Sequence, residues 1–236
     1  MDEDRAVVLS RLARGVADRR ADAPLSERLA AVCAEILEAE GAALTIGFDE
    51  QSRLTVVAAD EASARLAQLQ DVIGEGPVPD AYREGRPVDG DLESRTRWPV
   101  LAEAARGELG PLRILAVPMR PGGRMMGALT VHHTGSYPRH FDLRRAQYLA
   151  DAVGAALLRD PEWETDEQGS PWASRAPVYQ ATGMVIAQLG IGPDDALALL
   201  RAHAYTQDVG LNAIAERVLS RELDFSQIDI SGNEDS

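Results

Sequence analysis

The chain has 236 residues, of which 45% are hydrophobic and 5% aromatic, so one or two domains with a mainly aliphatic core are expected. Its formal net charge is −14 and all 24 cationic residues are arginine, which excludes binding to nucleic acid or to an anionic membrane through bulk positive charge. The single cysteine, Cys33, excludes a disulfide framework, and the sequence shows neither a signal peptide nor an apolar run of about 18 residues, so a cytoplasmic protein outside the membrane is expected.

The first part of the chain, residues 1–160, alternates helical and strand-like patterns. Helices are predicted over 4–19, 24–38, 61–70, 97–108 and 141–160, and strands over 41–48, 53–60, 112–119 and 125–133. A connector over 73–88 mixes turn signals with a short helix. Two hairpins separated by this connector and flanked by helices predict an α+β domain, with helices packed on an antiparallel sheet.

The second part begins after an acidic, proline-containing linker, residues 161–174, which carries Trp163 and Trp172. At least one of these tryptophans is expected to pack on a domain. Residues 175–225 predict a small all-α unit with helices over 178–189, 193–205 and 212–223. Pro193 suits a first helical position and Asn212 an N-cap. The polar tail, residues 226–236, is expected to be disordered.

Gly183 lies in the middle of the first of these three helices, where glycine costs about 1 kcal/mol relative to alanine. Its neighbours Ala181 and Thr182 are also small. A bare backbone allows a second helix to approach closely, so we expect Gly183 to be a packing residue.

The motifs of common enzyme classes are absent from the sequence. It has no phosphate-binding loop, no nucleophile elbow and no histidine pair at metal-ligand spacing. We therefore expect no catalytic residues, no metal site and no enzymatic activity. His132 and His133, late in a strand, are expected to point to opposite faces; hydrogen bonding is the ordinary role for each, ligation of a metal or haem the alternative. His140 is expected in a loop.

The first domain resembles the GAF domains of actinobacterial sensor proteins. The resemblance covers about residues 20–160 and rests on GEGPVPDAYREGRPV (74–88), RWP (97–99), VPM (117–119) and MGAL (126–129). It implies an α+β fold with a pocket for a small-molecule effector, of unknown identity, over one sheet face. By analogy with that fold, the candidate pocket residues are Tyr82, Arg83, Trp98 and His132. Some GAF domains hold a bilin through a cysteine, but Cys33 is predicted to be a buried hydrophobe, so no cofactor is expected.

The second domain resembles the ANTAR domain, a three-helix RNA-binding module of bacterial antiterminators. The resembling residues include QATGMV (180–185), LLRAHA (199–204) and RVLSRELDF (217–225). The resemblance implies a homodimer that binds stem-loops in a nascent mRNA and prevents a terminator from forming. The candidate RNA-contacting residues are Arg175, Arg201, His203, Arg217 and Arg221. Arg217 and Arg221 are four apart and are expected to share a helix face. Tyr179 and Tyr205 are near enough to stack on bases, but core packing is predicted for both.

Two departures from the ANTAR pattern favour an alternative function. Thr182 stands where many ANTAR domains have lysine, and the loop TQDVG (206–210) has an acid but no base. Residues 175–225 hold four arginines and six acids, a balance of 4 − 6 = −2. Since RNA affinity depends on phosphate neutralisation, the alternative is a protein-interaction or dimerisation module whose RNA binding is weak or lost.

Overall fold

The computed structural model describes residues 2–20, 22–47, 54–94, 97–135, 141–160 and 171–227. The chain divides into two compact units, Met1–Pro171 and Trp172–Ser236. Trp163, His140, most of the predicted linker and the tail beyond residue 227 lie outside the described residues.

The described part of the first unit contains one antiparallel sheet in the order β2–β1–β5–β4–β3. The strands are β1 (Gly41–Ile46), β2 (Leu54–Ala58), β3 (Val88–Asp91), β4 (Arg113–Met119) and β5 (Gly127–His133). The central strand β5 pairs with β1 on one side and β4 on the other, which places His132 opposite Gly41 and Ile114. The predicted α+β class with an antiparallel sheet is confirmed.

Helices cover both faces of this sheet. One face packs against α2 (Leu25–Leu37) and α6 (Leu143–Leu157), and α1 (Asp2–Ala17) packs on these two helices. The other face packs against α3 (Glu61–Ile73), α4 (Pro77–Glu84) and α5 (Pro99–Leu109). Because successive strand residues point to opposite faces, Leu129 and Val131 of β5 enter the first core and Ala128 enters the second. By the same alternation, Thr130 and His132 lie on the α3–α5 face.

The edge strand β3 was missed by the sequence prediction. Its sequence VDGD is polar and contains glycine, both unusual in strands. Pairing with β4 holds it in place, and a two-pronged contact from Arg113 to Asp89 (3.1 and 2.6 Å) reinforces it. Gly90 is required because a Cβ there would lie 2.0 Å from the Trp98 ring.

The second unit holds three α-helices within its described residues, α7 (Pro171–Leu189), α8 (Pro193–Thr206) and α9 (Leu211–Leu219), followed by a short 3-10 helix, Phe225–Gln227. α7 therefore includes residues 171–174, which were predicted as linker. Pro193 begins α8 as predicted, but the N-cap of α9 is Gly210 rather than Asn212. Among the described residues no single helix is long and apolar enough to cross a membrane; only the pair 176–189 and 193–206, bent by 108°, reaches that length and composition.

Phe225 packs into the core of the second unit, a role that the sequence analysis did not predict. α9 ends at Leu219, and Arg221 then adopts a left-handed conformation with φ of 62°. Left-handed residues commonly terminate helices because they turn the chain back. The returning chain buries Phe225, which is 1% exposed, and its N–H donates to Gln188 Oε1 of α7 at 3.2 Å.

Gly183 is exposed on α7. A Cβ built on it would meet nothing within 4 Å among the described residues. The prediction that Gly183 is a packing residue is therefore wrong for contacts with another described helix of the same chain. Nearby Thr182 donates its hydroxyl to the carbonyl oxygen of Val178 at 2.7 Å, which satisfies that side chain within its own helix.

Candidate nucleic-acid interface and ligand face

Two of the four candidate pocket residues meet at Asp80, a 7%-exposed carboxylate on α4. Arg83 Nη1 donates to Asp80 Oδ1 at 2.6 Å, and Trp98 Nε1 donates to Asp80 Oδ2 at 3.0 Å. Arg97 also donates to Asp80 Oδ2, at 2.9 Å, and lies over the Trp98 ring. Asp80 thus joins α4 to the start of α5 through charge-assisted hydrogen bonds.

The other two pocket candidates have separate surroundings. Tyr82 is half-buried and packs against the hydrophobic cluster that contains Trp98. His132 contacts a different carboxylate, with its Nε2 3.2 Å from Asp60 Oδ1. Asp60 caps α3 by accepting from Ser63 N–H at 2.8 Å and from Ser63 Oγ–H at 2.6 Å. The structure therefore brings Arg83 and Trp98 to one carboxylate and His132 to another.

The pKa of the Asp60 carboxyl lies below its usual value. Burial opposes ionisation, but the hydrogen bonds from Ser63 and the contact with His132 together outweigh it. An ionised Asp60 fits its role as the cap of α3, since negative charge is favoured at a helix N-terminus.

Buried polar atoms on β5 distinguish the α3–α5 face of the sheet. His132 Nδ1 and Thr130 Oγ1 are buried and have no hydrogen-bond partner among the described residues. Such atoms are uncommon in folded proteins and call for an explanation, a ligand or water being one. Thr130 was missed by the sequence prediction, although its position two residues before His132 on the same strand was a usable signal.

A groove of about 710 Å³ lies on the opposite side of the first unit, between α1 and α6. Leu9, Leu12 and Ala152 contribute to its apolar wall, and Arg5 lies over the Tyr148 ring at 5.2 Å. None of the four candidate pocket residues lines it.

Cys33 is buried in the core beneath α1 and α6, as predicted. Burial raises the pKa of its thiol far above the usual value, so the reactive thiolate is suppressed. Within the described ranges, no group of three or more His, Cys, Asp or Glu side chains is arranged to hold a metal ion.

The RNA-contacting candidates lie on all three helices of the second unit and just beyond them. Arg175 is in α7, and its side chain falls outside the described part of the chain. Arg201 is half-buried on α8, and Arg217 on α9 donates through Nη1 to Gln207 Oε1 in the loop after α8. Arg221 is exposed, but α9 ends before it, so the prediction that it shares a helix face with Arg217 is wrong.

His203 packs within the second unit. Its ring makes an edge-to-face contact with Phe225, with the centroids 4.8 Å apart and the planes at 62°. Edge-to-face geometry is a favoured aromatic arrangement. His203 therefore holds the returning C-terminal segment on α8, whatever else it contacts.

Both tyrosines of the second unit are surface residues. Tyr179 is 49% exposed and Tyr205 is 47% exposed, so the prediction that they pack in the core is wrong. In α8 the buried residues are Ala196, Leu197, Leu200 and Ala204, and Tyr205 lies one residue beyond the last of them.

Comparison with known proteins identifies both units. A GAF domain family model matches residues 22–158, more than half of the chain, and an ANTAR domain model matches 172–219. No curated protein matches the sequence.

The chain is also similar to solved GAF structures. A GAF domain of A. aeolicus in an inactive state is 13% identical to this chain, and the TM-score is 0.49. The match covers 67% of this chain and 99% of that one. The GAF domain of a phosphoenolpyruvate-protein phosphotransferase from Coxiella burnetii is 16% identical, and the TM-score is 0.48. This match covers 66% of this chain and 94% of that one. GAF and ANTAR are regulatory rather than catalytic families. The chain therefore belongs to the GAF domain family and carries an ANTAR domain behind its GAF domain, as the sequence predicted.

Proposed function

We propose that this protein is a cytoplasmic, homodimeric transcription antitermination regulator, whose ANTAR domain binds stem-loops in nascent mRNA under control of its GAF domain. The observation that carries the proposal is the order of the two domains, with GAF over 22–158 and ANTAR over 172–219. A sensory module joined to an RNA-binding module is suited to couple a signal to the fate of a transcript.

Electrostatics sets the expected strength of this binding. Residues 175–225 contain four arginines and six acidic residues, so the RNA contact depends on a few local cations. Each phosphate contact that a cation makes releases counterions, which makes the affinity salt-dependent. We therefore expect binding that is measurable at low salt and weakens as salt rises, with a slope set by the small number of arginines in contact with phosphate.

The test is a titration of the full chain against transcripts that carry tandem stem-loops, at several salt concentrations. Arg201→Ala with Arg217→Ala should weaken binding and flatten the salt dependence. Arg106→Ala is the matched control, because Arg106 is an exposed arginine of the GAF unit paired with Glu103. Equal affinity for stem-loops and for unstructured RNA, unchanged by the double substitution, would refute the proposal.

The second candidate function is a protein-interaction or dimerisation module without effective RNA binding. The acidic balance of residues 175–225 and the absence of a base in 206–210 favour it. Capture of partners from a lysate with and without ribonuclease separates the two functions, since partners held through RNA are lost on digestion whereas direct protein partners are retained.

The proposed effector site is the α3–α5 face of the sheet. The buried Nδ1 of His132 and Oγ1 of Thr130 support it, because a small molecule with polar groups would satisfy both. Tyr82, Arg83 and Trp98 are the remaining proposed contacts. Screening small molecules for an increase in melting temperature that His132→Ala abolishes tests this assignment.

The proposed homodimer rests on the surface of the chain. Val7 and Leu9 of α1 are 51% and 43% exposed, and a unit as small as the ANTAR domain buries a smaller fraction of its surface than a large domain does. Light scattering of the full chain during size-exclusion chromatography measures the oligomeric state, and a monomer at micromolar concentration would contradict the dimer.

A further inference from the structure

The solvent-exposed face of α8 carries one aromatic side chain beside two small alanine side chains. Tyr205, in the last turn, is 47% exposed. Its neighbours on this face are the exposed Ala198 and Ala202, which lie seven and three residues earlier. Residues three and four apart are adjacent on a helix surface, so the neighbours of Tyr205 one turn earlier are the small Ala202 on one side and Arg201 on the other.

Two arginines lie near the C-terminal end of α8, where Tyr205 is placed. Arg201 lies one turn before Tyr205 on the same helix face, at i and i+4, where Cβ atoms are about 5–6 Å apart. Arg217 of α9 reaches the end of α8, where its Nη1 donates to Oε1 of Gln207, two residues after Tyr205. That bond uses the oxygen of the Gln207 amide, and because Gln207 is exposed its N–H donors are accessible to a ligand or solvent.

The loop between α8 and α9, which carries Gln207, is held by its own backbone hydrogen bonds. The N–H groups of Gln207, Asp208 and Val209 donate to carbonyl oxygens of His203, Tyr205 and Ala204 at 3.2, 3.2 and 3.0 Å. Asp208 takes a left-handed conformation, with φ of 51°, that turns the chain sharply toward α9. A loop ordered before binding loses little entropy when it meets a ligand.

We propose that Tyr205 stacks on an unpaired base of an RNA loop, with Arg201 and Arg217 toward the flanking phosphates and the Gln207 amide toward the edge of the base. This inference rests on the proposed RNA binding and names the surface that performs it. Unpaired loop bases are read in proteins by stacking on aromatic rings and by hydrogen bonds to their edges. Arginine supplies the phosphate contact, and amide side chains supply paired donor and acceptor groups.

Stacking also resolves how an acidic domain retains affinity for RNA. Stacking attracts every base through its π-face and does not depend on net charge. Asp208 beside the site repels phosphate, so the arrangement favours an RNA element that offers a base without a dense run of phosphates. A hairpin loop meets this condition better than a continuous duplex does.

The experiment uses the full chain and hairpin RNAs with a constant stem and a randomised loop, from which wild-type protein selects a binding sequence. Tyr205→Ala should weaken binding to the selected hairpin about 5- to 100-fold, while Tyr205→Phe should stay within about 2-fold because it keeps the ring. Tyr179→Ala is the matched control, since Tyr179 is a tyrosine of similar exposure on α7. Circular dichroism and thermal melting check that each variant folds.

A fluorescent base in the loop gives a readout that a structural role would not change. The fluorescence of 2-aminopurine, placed in turn at each loop position, should fall on binding at one position with wild-type protein and Tyr205→Phe, but not with Tyr205→Ala. Arg217→Ala should lower the slope of log affinity against log salt by about one.

The outcomes separate the inference from the function on which it rests. If wild-type protein enriches no hairpin, both the RNA-binding function and the stacking site are overturned. If wild-type protein binds and Tyr205→Ala binds equally well, or if the alanine and phenylalanine variants lose affinity equally, stacking by Tyr205 is refuted while RNA binding stands. Loss of the dimer in Tyr205→Ala without loss of hairpin affinity would assign this surface to a protein contact and would also refute the inference.

Discussion

Replacing Gly183 by alanine is expected to stabilise the ANTAR unit. Gly183 lies inside α7 and is exposed, and apart from its chain neighbours and the backbone of its own helix no atom of the described residues lies within 4 Å of the position a Cβ would take. The substitution therefore removes the helix-propensity penalty of glycine without adding a clash. That penalty is about 0.8–1 kcal/mol in the free energy of unfolding, and for a unit of this size it corresponds to a rise in melting temperature of about 4–8 °C.

Scanning calorimetry of the full chain measures this change, with a second glycine as control. Gly154, inside α6, is crowded: a Cβ there would lie 3.1 Å from Pro121 Cδ and 3.3 Å from Met119 Cβ. Gly154→Ala should consequently gain less stability or lose some. If Gly183→Ala instead lowers the melting temperature or dissociates the protein in light scattering, a second copy packs on this glycine, and the open space seen in one chain does not describe the assembly.

Three further predictions follow from buried groups. Phe225→Ala should lower the free energy of unfolding of the ANTAR unit by about 3–5 kcal/mol, because it empties the site against His203; a loss under about 1 kcal/mol in urea unfolding would contradict burial of this ring. Burial lowers the pKa of His133; the Glu40 carboxylate opposes this effect and the neighbouring His132 adds to it, so the pKa lies below its usual value. As the pH falls, the unfolded chain therefore takes up the proton before the folded protein does. Stability should therefore fall as pH drops below the unfolded value of about 6.5, and His133→Gln should flatten that dependence in unfolding measured between pH 7.5 and 5.5. Cys33, buried and with a raised thiol pKa, should resist thiol reagents in the native protein and react stoichiometrically in denaturant; rapid native labelling would show that the α1–α2–α6 core opens.

Periodicity located most elements of the fold. The long amphipathic helix α6 and the central strands β4 and β5 carry repeated apolar positions, and all three were predicted within a few residues of their observed bounds. The strand β3 carries no such signal, because only Val88 of its four residues is buried. It is a strand because β4 offers an unpaired edge, which is a property of the assembled sheet.

The candidate site depended more on tertiary structure. Arg201 and Arg217 were candidates from the sequence, but the contact that brings Arg217 to Gln207 joins α9 to the loop after α8. The same holds for the contact of Asp80 with Trp98, which lies 18 residues away at the start of α5, whereas Arg83 is three residues away on the same helix as Asp80. Spacing along one helix predicts neighbours on that helix, whereas contacts between elements depend on how the elements pack.

The sequence by itself determined the domain families and their order, the α+β class of the first unit and the burial of Cys33, since these depend on motifs and on local apolar patterns. Only the tertiary structure decided that Phe225 fills the core of the ANTAR unit, that Tyr205 faces outward and that Gly183 has open space beside it. Helical periodicity gives the angle of a side chain around its helix axis. Whether that angle meets another element or solvent is set by the packing of the whole unit.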